Sequence, residues 1–247
     1  MSEVISGRFT GRRVAVVGGA GGIGAAIARR LADEGAEVYA LDLRGLENVP
    51  AHIQTVPIDV ANEQSVADVV SRLYAHDDRP IDLVNSAGIV EDDVAAEDMP
   101  METYDRVMGV NLRGVFLTSR EFGRQLLARQ GGCIVNIASM SGNALVNFPQ
   151  RQSVYNTSKA GVSALTRSLA VEWGGRGVRV NAVSPGYVDT PLNALKKHMH
   201  QGWIEGTIVG RFALVEEIAG TVAFLLSDDA AYFCGAELLV DGGSSLR

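Results

Sequence analysis

Residues 14–42 read VAVVGGAGGIGAAIARRLADEGAEVYALD, and the change of pattern along this stretch decides the fold. Val14 to Val17 is a short, wholly apolar run, as expected of a strand buried on both faces. From about Ile23 to Glu34, the residues Ile23, Ile27, Ala28 and Leu31 recur on one helical face, and Gly35 ends the helix. Val38 to Asp42 is the second strand. Between the first strand and the helix stand Gly18, Gly22 and Gly24 in the order G-x-x-x-G-x-G. Glycines there permit a tight turn and let the backbone approach a pyrophosphate, while the helix N-terminus offers free amides and partial positive charge to phosphates. Ile23 opens that helix beside the expected phosphates. Asp42 ends the second strand at the distance where a nucleotide-binding unit places an acid on the adenosine ribose hydroxyls. A carboxylate there repels a 2′-phosphate, and Leu43 beside it is not basic, so NAD is expected over NADP. Arg44 softens that preference.

The same alternation continues through the chain. Further buried strands are expected at Ile53 to Ile58, Ile81 to Asn85, Cys133 to Ala138, Val178 to Val183 and Leu238 to Asp241, with helices in the intervals. The fold class is therefore α/β: one Rossmann-like, doubly wound parallel sheet of about seven strands with helices on both faces. No linker, repeat or low-complexity tract divides residues 1–247. Residues 191–212 fit least well, with Lys196, Lys197, His198, His200 and Trp203 on a weakly amphipathic helix, and are read as a lid over the substrate.

Totals exclude several functions. With 47% hydrophobic and 21% charged residues the chain has an ordinary globular composition, and its net charge of −7 leaves no basic stripe for nucleic acid. Cys133 and Cys234 lack Cys or His neighbours at metal-ligand spacing, so no metal is expected and both are read as buried small hydrophobes. Arg12-Arg13 before the run Val14 to Ala28 superficially resembles an export signal, but the run is glycine-rich, too short to span a membrane and closed by Arg29-Arg30. No membrane association and a cytoplasmic location are expected.

Polar or small residues recur at the carboxyl ends of the strands, the edge where such sheets bind ligands. Asp59-Val60 follows the third strand and Asn85-Ser86-Ala87-Gly88 the fourth. Tyr155 and Lys159 lie four apart at the start of a strongly helical segment and share one face. A phenol is a poor base at neutral pH, but an ammonium beside it and a cationic nicotinamide both favour the phenolate. Ser139 leaves its strand at the same edge, able to hydrogen-bond a substrate oxygen.

Together, Gly18 and its loop, Asn85-Ser86-Ala87-Gly88, Asn111, Ser139, Tyr155-x-x-x-Lys159 and Pro185-Gly186 resemble the short-chain dehydrogenase/reductase family over nearly the whole chain. The resemblance implies that Asn111 steadies a helix kink and a proton-relay water, Ser139 orients the substrate oxygen and Tyr155 passes the proton. It implies further that Lys159 binds the nicotinamide ribose and lowers the Tyr155 pKa, and that Val188 and Thr190 hold the nicotinamide end. Two positions depart from the family pattern: Val17 replaces a Thr before the first glycine, and Asn85-Ser86 replaces Asn-Asn. The loop from Ser139 to Gln152 is similar to that of polyol dehydrogenases, in which Ser141 and Asn147 would meet substrate hydroxyls; the alternative is that Asn147 and Gln150 only brace the loop.

The leading expectation is thus an NAD-dependent dehydrogenase converting a secondary alcohol, a polyol or sugar alcohol, to its ketone. A reductase of an oxoacyl or other bulky ketone is the second reading. A non-catalytic dinucleotide-binding protein on the same fold is the third, and it has no reason to keep Ser139, Tyr155 and Lys159 together. The resemblance also implies a homotetramer, packed through the segments Asn111 to Leu127 and Val154 to Leu169.

Overall fold

The computed structural model describes residues 5–129, 131–146, 149–194 and 196–247. Its elements in chain order are β1 (Arg13–Val17), α1 (Gly22–Asp33), β2 (Glu37–Asp42), β3 (Gln54–Pro57), α2 (Glu63–Leu73), β4 (Ile81–Asn85), α3 (Met101–Met108) and α4 (Val115–Ala128). There follow β5 (Gly132–Ile137), α5 (Ser153–Trp173), β6 (Val178–Pro185), α6 (Pro191–Ala194), α7 (His200–Glu205), α8 (Val215–Leu226) and β7 (Glu237–Val240). The seven strands form one parallel sheet in the order β3-β2-β1-β4-β5-β6-β7.

Successive strand side chains point to opposite faces, so each strand feeds two cores. Val14 and Val16 join Ile27 and Leu31 of α1 and Ile218 and Val222 of α8 on one face. Ala15 and Val17 join Val66 of α2, Phe122 and Leu126 of α4, and Leu169 and Trp173 of α5 on the other. Burial on both faces is why β1 reads as an apolar run from Val14 to Val17 instead of an alternating one. Strand order reverses between β1 and β4. The loops leaving their carboxyl ends diverge there and open a crevice.

Strand boundaries differ from the expected ones by a residue or two. β6 runs on to Pro185 because Ser184 and Pro185 still pair with Leu239 and Val240 of β7. Residues 191–212 are not one helix: α6 and α7 are separate, joined through a tight turn at Lys197–Met199. The amphipathic pattern was weak because Trp203 alone anchors α7, stacked on Tyr187 with ring centroids 4.6 Å apart. Cys133 is buried, but Cys234 is exposed, correcting the reading of both as core residues; Cys234 lies in the turn before edge strand β7, its Sγ meeting Ala170 O near the end of α5 at 3.8 Å. Among the described residues no helix is long and apolar enough to cross a membrane.

Between α3 and α4 the helix widens into a π-turn over Gly109–Gly114. The cause is Asn111, whose side chain turns inward: its Oδ1 accepts Ile89 N–H at 2.8 Å, and its Nδ2 donates to Ile89 O at 2.8 Å and Ser158 Oγ at 3.1 Å. An amide that satisfies a neighbouring loop in this way holds the helix out of register.

Candidate active site

A cleft of about 500 Å³ opens at the carboxyl edge of the sheet. Backbone packing shapes its floor. A Cβ on Gly18 would lie 2.6 Å from Ala87 N, and one on Gly24 would lie 2.1 Å from Gly18 O, so both glycines are required by close approach of main chain to main chain. Gly21 is different: it lines the cleft, and a Cβ there meets no protein atom within 4 Å. The N-terminus of α1 has no side-chain cap, which leaves its first amides directed at the cleft.

Asp42 is held where it can read a ribose. Its Oδ2 accepts Ala20 N–H at 3.1 Å, and its Oδ1 accepts Leu43 N–H at 2.8 Å and Arg44 N–H at 3.4 Å. Gly18, Gly22, Ile23, Gly24, Asp42, Leu43, Asp59, Val60, Ala87 and Gly88 line this half of the cleft, and Pro185, Gly186, Val188 and Thr190 complete it. Asn85 does not reach it. That side chain is buried in a polar bridge, donating to Asn136 Oδ1 at 2.9 Å and Ser119 Oγ at 3.1 Å and accepting from Thr118 Oγ1 at 2.7 Å. Its role is to tie β4 to β5 and α4, since strand alternation turns it away from the crevice.

The chemical end is built by β5 and α5. Ser139 and Tyr155 both line the cleft, the Ser139 hydroxyl acting on the Tyr155 phenol, and Ser139 Oγ accepts Ser141 N–H at 3.1 Å. Lys159 is buried, donates from Nζ to Ile137 O at 2.8 Å and lies 5.8 Å from the centroid of the Tyr155 ring. Gly88 closes the group: a Cβ on it would lie 3.4 Å from Lys159 Nζ and 3.5 Å from Asn111 Oδ1. Asn111 is therefore behind the site, its amide spent on Ile89 and Ser158. Ser141 lines the cleft; Asn147 lies outside the described residues.

The protein's own groups do not set the Tyr155 pKa as charge reasoning alone expects. Desolvation pushes the phenol up, the Ser139 hydrogen bond pulls it down, and the charge of Glu91 pushes it up again. Burial lowers Lys159 to about 8. Both shifts favour the neutral forms, because each group sits in a poorly solvated place.

Glu91 was not singled out by the sequence. It is buried, and its carboxylate accepts Val154 N–H at 3.1 Å and Tyr155 N–H at 3.0 and 3.1 Å. It thereby caps the helix that carries Tyr155 and Lys159 and neutralises the positive end of its dipole. In the sequence, Glu91-Asp92-Asp93 looks like a solvated acidic run, and only the approach of the β4 loop to α5 reveals the cap. Gln150, Gln152, Tyr187, Asn193, Lys196 and Trp203 also line the cleft. The loop after Ser139 is braced against α5 and β7: Gly142 (φ +100) would place a Cβ 2.4 Å from Asn156 O, and Asn143 donates to Glu237 Oε1 at 3.0 Å.

A glycine-lined nucleotide cleft that ends on a hydroxyl pair backed by a lysine defines a nicotinamide-dependent oxidoreductase acting at an alcohol or carbonyl carbon. The chain belongs to the short-chain dehydrogenase/reductase family, and residues 18–245 match the family model described as enoyl-(acyl carrier protein) reductase. It is 41% identical to the galactitol 2-dehydrogenase (L-tagatose-forming) of Cereibacter sphaeroides over 96% of each chain. With the D-threitol dehydrogenase of Mycolicibacterium smegmatis it shares 37% identity over 97% of this chain and 95% of the other. Among solved structures, a candidate NAD(P)-dependent gluconate 5-dehydrogenase of Beutenbergia cavernae with NADP bound at low occupancy superposes with a TM-score of 0.90. That protein is 36% identical, and the match covers 99% of this chain and all of the other.

Proposed function

We propose that the protein is an NAD-dependent dehydrogenase that oxidises a secondary alcohol of a polyhydroxylated substrate to the ketone and runs in reverse as a reductase. The observation that carries this reading is the convergence of Ser139, Tyr155 and Lys159 on one cleft wall, with Lys159 Nζ 5.8 Å from the centroid of the Tyr155 ring. The glycine-lined cradle, the uncapped N-terminus of α1 and the fixed carboxylate of Asp42 fit a nicotinamide dinucleotide with an unmodified adenosine ribose. When bound, that cofactor accepts or donates the hydride.

The rest of the chemistry belongs to side chains. Ser139 Oγ holds the substrate oxygen, and Tyr155 Oη removes its proton in oxidation and returns one in reduction. Phenolate and ammonium, each disfavoured alone by desolvation, stabilise one another when Tyr155 and Lys159 are charged together. Ser141 and Gln150 line the cleft where a substrate's other hydroxyls need partners. The polyol substrates of the galactitol and threitol enzymes support this substrate class.

Residues 191–212 are read as the lid, supported by the presence of Lys196 and Trp203 in the cleft wall. A homotetramer is the expected assembly; exposed Phe116 on α4 and Val171 on α5 support helix-face contacts between copies, and light scattering showing a stable, active monomer would remove it. Two free cysteines are in keeping with the reducing cytoplasm.

The test is a screen of polyols, secondary alcohols and hydroxy acids with NAD and NADP, followed by absorbance of the reduced nicotinamide. Tyr155→Phe keeps the ring and loses the acid/base group, so turnover should fall about 10²-fold or more with cofactor binding nearly unchanged. Retention of more than about a tenth of turnover in a chemistry-limited assay would refute the assigned role. Faster turnover of oxoacyl ketones with NADPH than of any polyol would favour the ketoreductase reading.

A further inference from the structure

Among the described residues, four charged side chains line the cleft: Asp42, Asp59, Lys159 and Lys196. The two carboxylates stand at the ends of β2 and β3, on the nucleotide side. The chemical end carries the two cations, and their situations differ. Lys159 Nζ is spent on Ile137 O at 2.8 Å. Lys196 Nζ is shielded from solvent and has no hydrogen-bond partner among the described residues.

The backbone of Lys196 is fixed in a turn, with its N–H on Asn193 O at 3.0 Å and its carbonyl accepting Met199 N–H at 2.9 Å. Asp93 is near enough to feel the ammonium, but that carboxylate is half-exposed and engaged by Arg151, through N–H at 2.9 Å and Nε at 3.2 Å. Glu91 is committed to the amides of α5. A shielded ammonium without an acceptor is costly, and it is resolved by an anion that brings a charge-assisted hydrogen bond. Dinucleotide phosphates already have their donors at the N-terminus of α1. Among the described residues, the rest of the cleft lining is neutral.

We infer that the substrate is a polyhydroxy acid, whose carboxylate pairs with Lys196 Nζ while the hydroxyl to be oxidised lies on Ser139 and Tyr155. This rests on the dehydrogenase reading above and narrows it from polyols to their acids.

The experiment compares two matched pairs, galactitol with galactonate and sorbitol with gluconate, in the wild type, Lys196→Gln and Lys196→Arg. Turnover with NAD is measured beside equilibrium binding of each acid to the enzyme–NADH complex by nucleotide fluorescence. The expected result is that an acid exceeds its polyol by about tenfold or more in kcat/KM. Lys196→Gln should raise the acid's KM and Kd about tenfold with kcat and NADH affinity little changed, and Lys196→Arg should restore most of the loss. Preference for the polyols, or Lys196→Gln leaving the acid's Kd unchanged, overturns the inference while the dehydrogenase reading stands. A loss of NADH affinity instead would show that the lysine serves a cofactor phosphate, which also overturns it. If no acid or polyol turns over, the dehydrogenase reading fails, and binding alone decides the lysine: absence of acid binding at tens of millimolar removes it.

Discussion

Cofactor choice should rest on Asp42, and the effect of replacing it can be worked out from its contacts. The carboxylate is pinned by three main-chain amides, from Ala20, Leu43 and Arg44, so it cannot swing aside to admit a second anion. A 2′-phosphate at about 4 Å meets a repulsion of about 4 kcal/mol at an effective dielectric near 20. Asp42 is only half-buried, so solvent and salt reduce this figure, while the second phosphate charge acts in the opposite direction. The net expectation is a preference for NAD over NADP of at least about a hundredfold in kcat/KM. Asp42→Ala should narrow the gap chiefly by weakening NAD, because hydrogen bonds from ribose hydroxyls to a charged acceptor are worth about 1.5–3 kcal/mol. It also leaves the Ala20 amide without its acceptor, so Asp42→Asn serves as the variant that keeps an acceptor there. The assay is initial rates at saturating alcohol with each cofactor varied, with thermal melts to confirm folding. Equal use of both cofactors by the wild type, or an equal fall for both in Asp42→Ala, would refute the reasoning.

Three further outcomes follow from the geometry. The charge of Glu91 raises the Tyr155 pKa, so Glu91→Gln should move the limb of alcohol oxidation that reports phenolate formation to lower pH; a purely structural cap would change stability and leave the limb in place. Lys159 keeps its proton to about 10.5 when unfolded and only to about 8 when folded. Unfolded chains therefore bind more protons between those values, and without cofactor the wild type should gain stability as pH rises from 8 toward 10. Melts of Lys159→Met, run beside the wild type, should lack that gain, and parallel curves would contradict the buried ammonium. Gly24→Ala, whose Cβ collides with Gly18 O, should fold poorly, whereas Gly21→Ala should melt like the wild type yet bind cofactor more weakly, since its Cβ projects into the cleft; unchanged cofactor affinity in Gly21→Ala would place the dinucleotide elsewhere.

Local pattern sufficed for much of this protein. Short, largely apolar runs between helical segments specify a parallel sheet, because strands covered by helices on both faces are mostly apolar. The glycines before α1, the acid ending β2 and the Tyr155–Lys159 pair are legible as one candidate site, and all line one cleft, since each depends on neighbours within one turn or one connection. What the sequence left open depends on groups brought together from distant segments. Asn85 reads as a ligand-edge residue, but strand alternation buries it against Asn136 and Thr118. Cys234 reads as core, but it is exposed in the turn before edge strand β7. Glu91 reads as surface charge, yet 64 residues along the chain it meets the amide of Tyr155. Direct pairing of Tyr155 with an ammonium suggested a lowered phenol pKa, whereas desolvation, which only packing determines, shifts it upward. Lys196 belongs to the same class: its charge is visible in the sequence, and its isolation from water and from any acceptor among the described residues is decided by the tertiary structure alone.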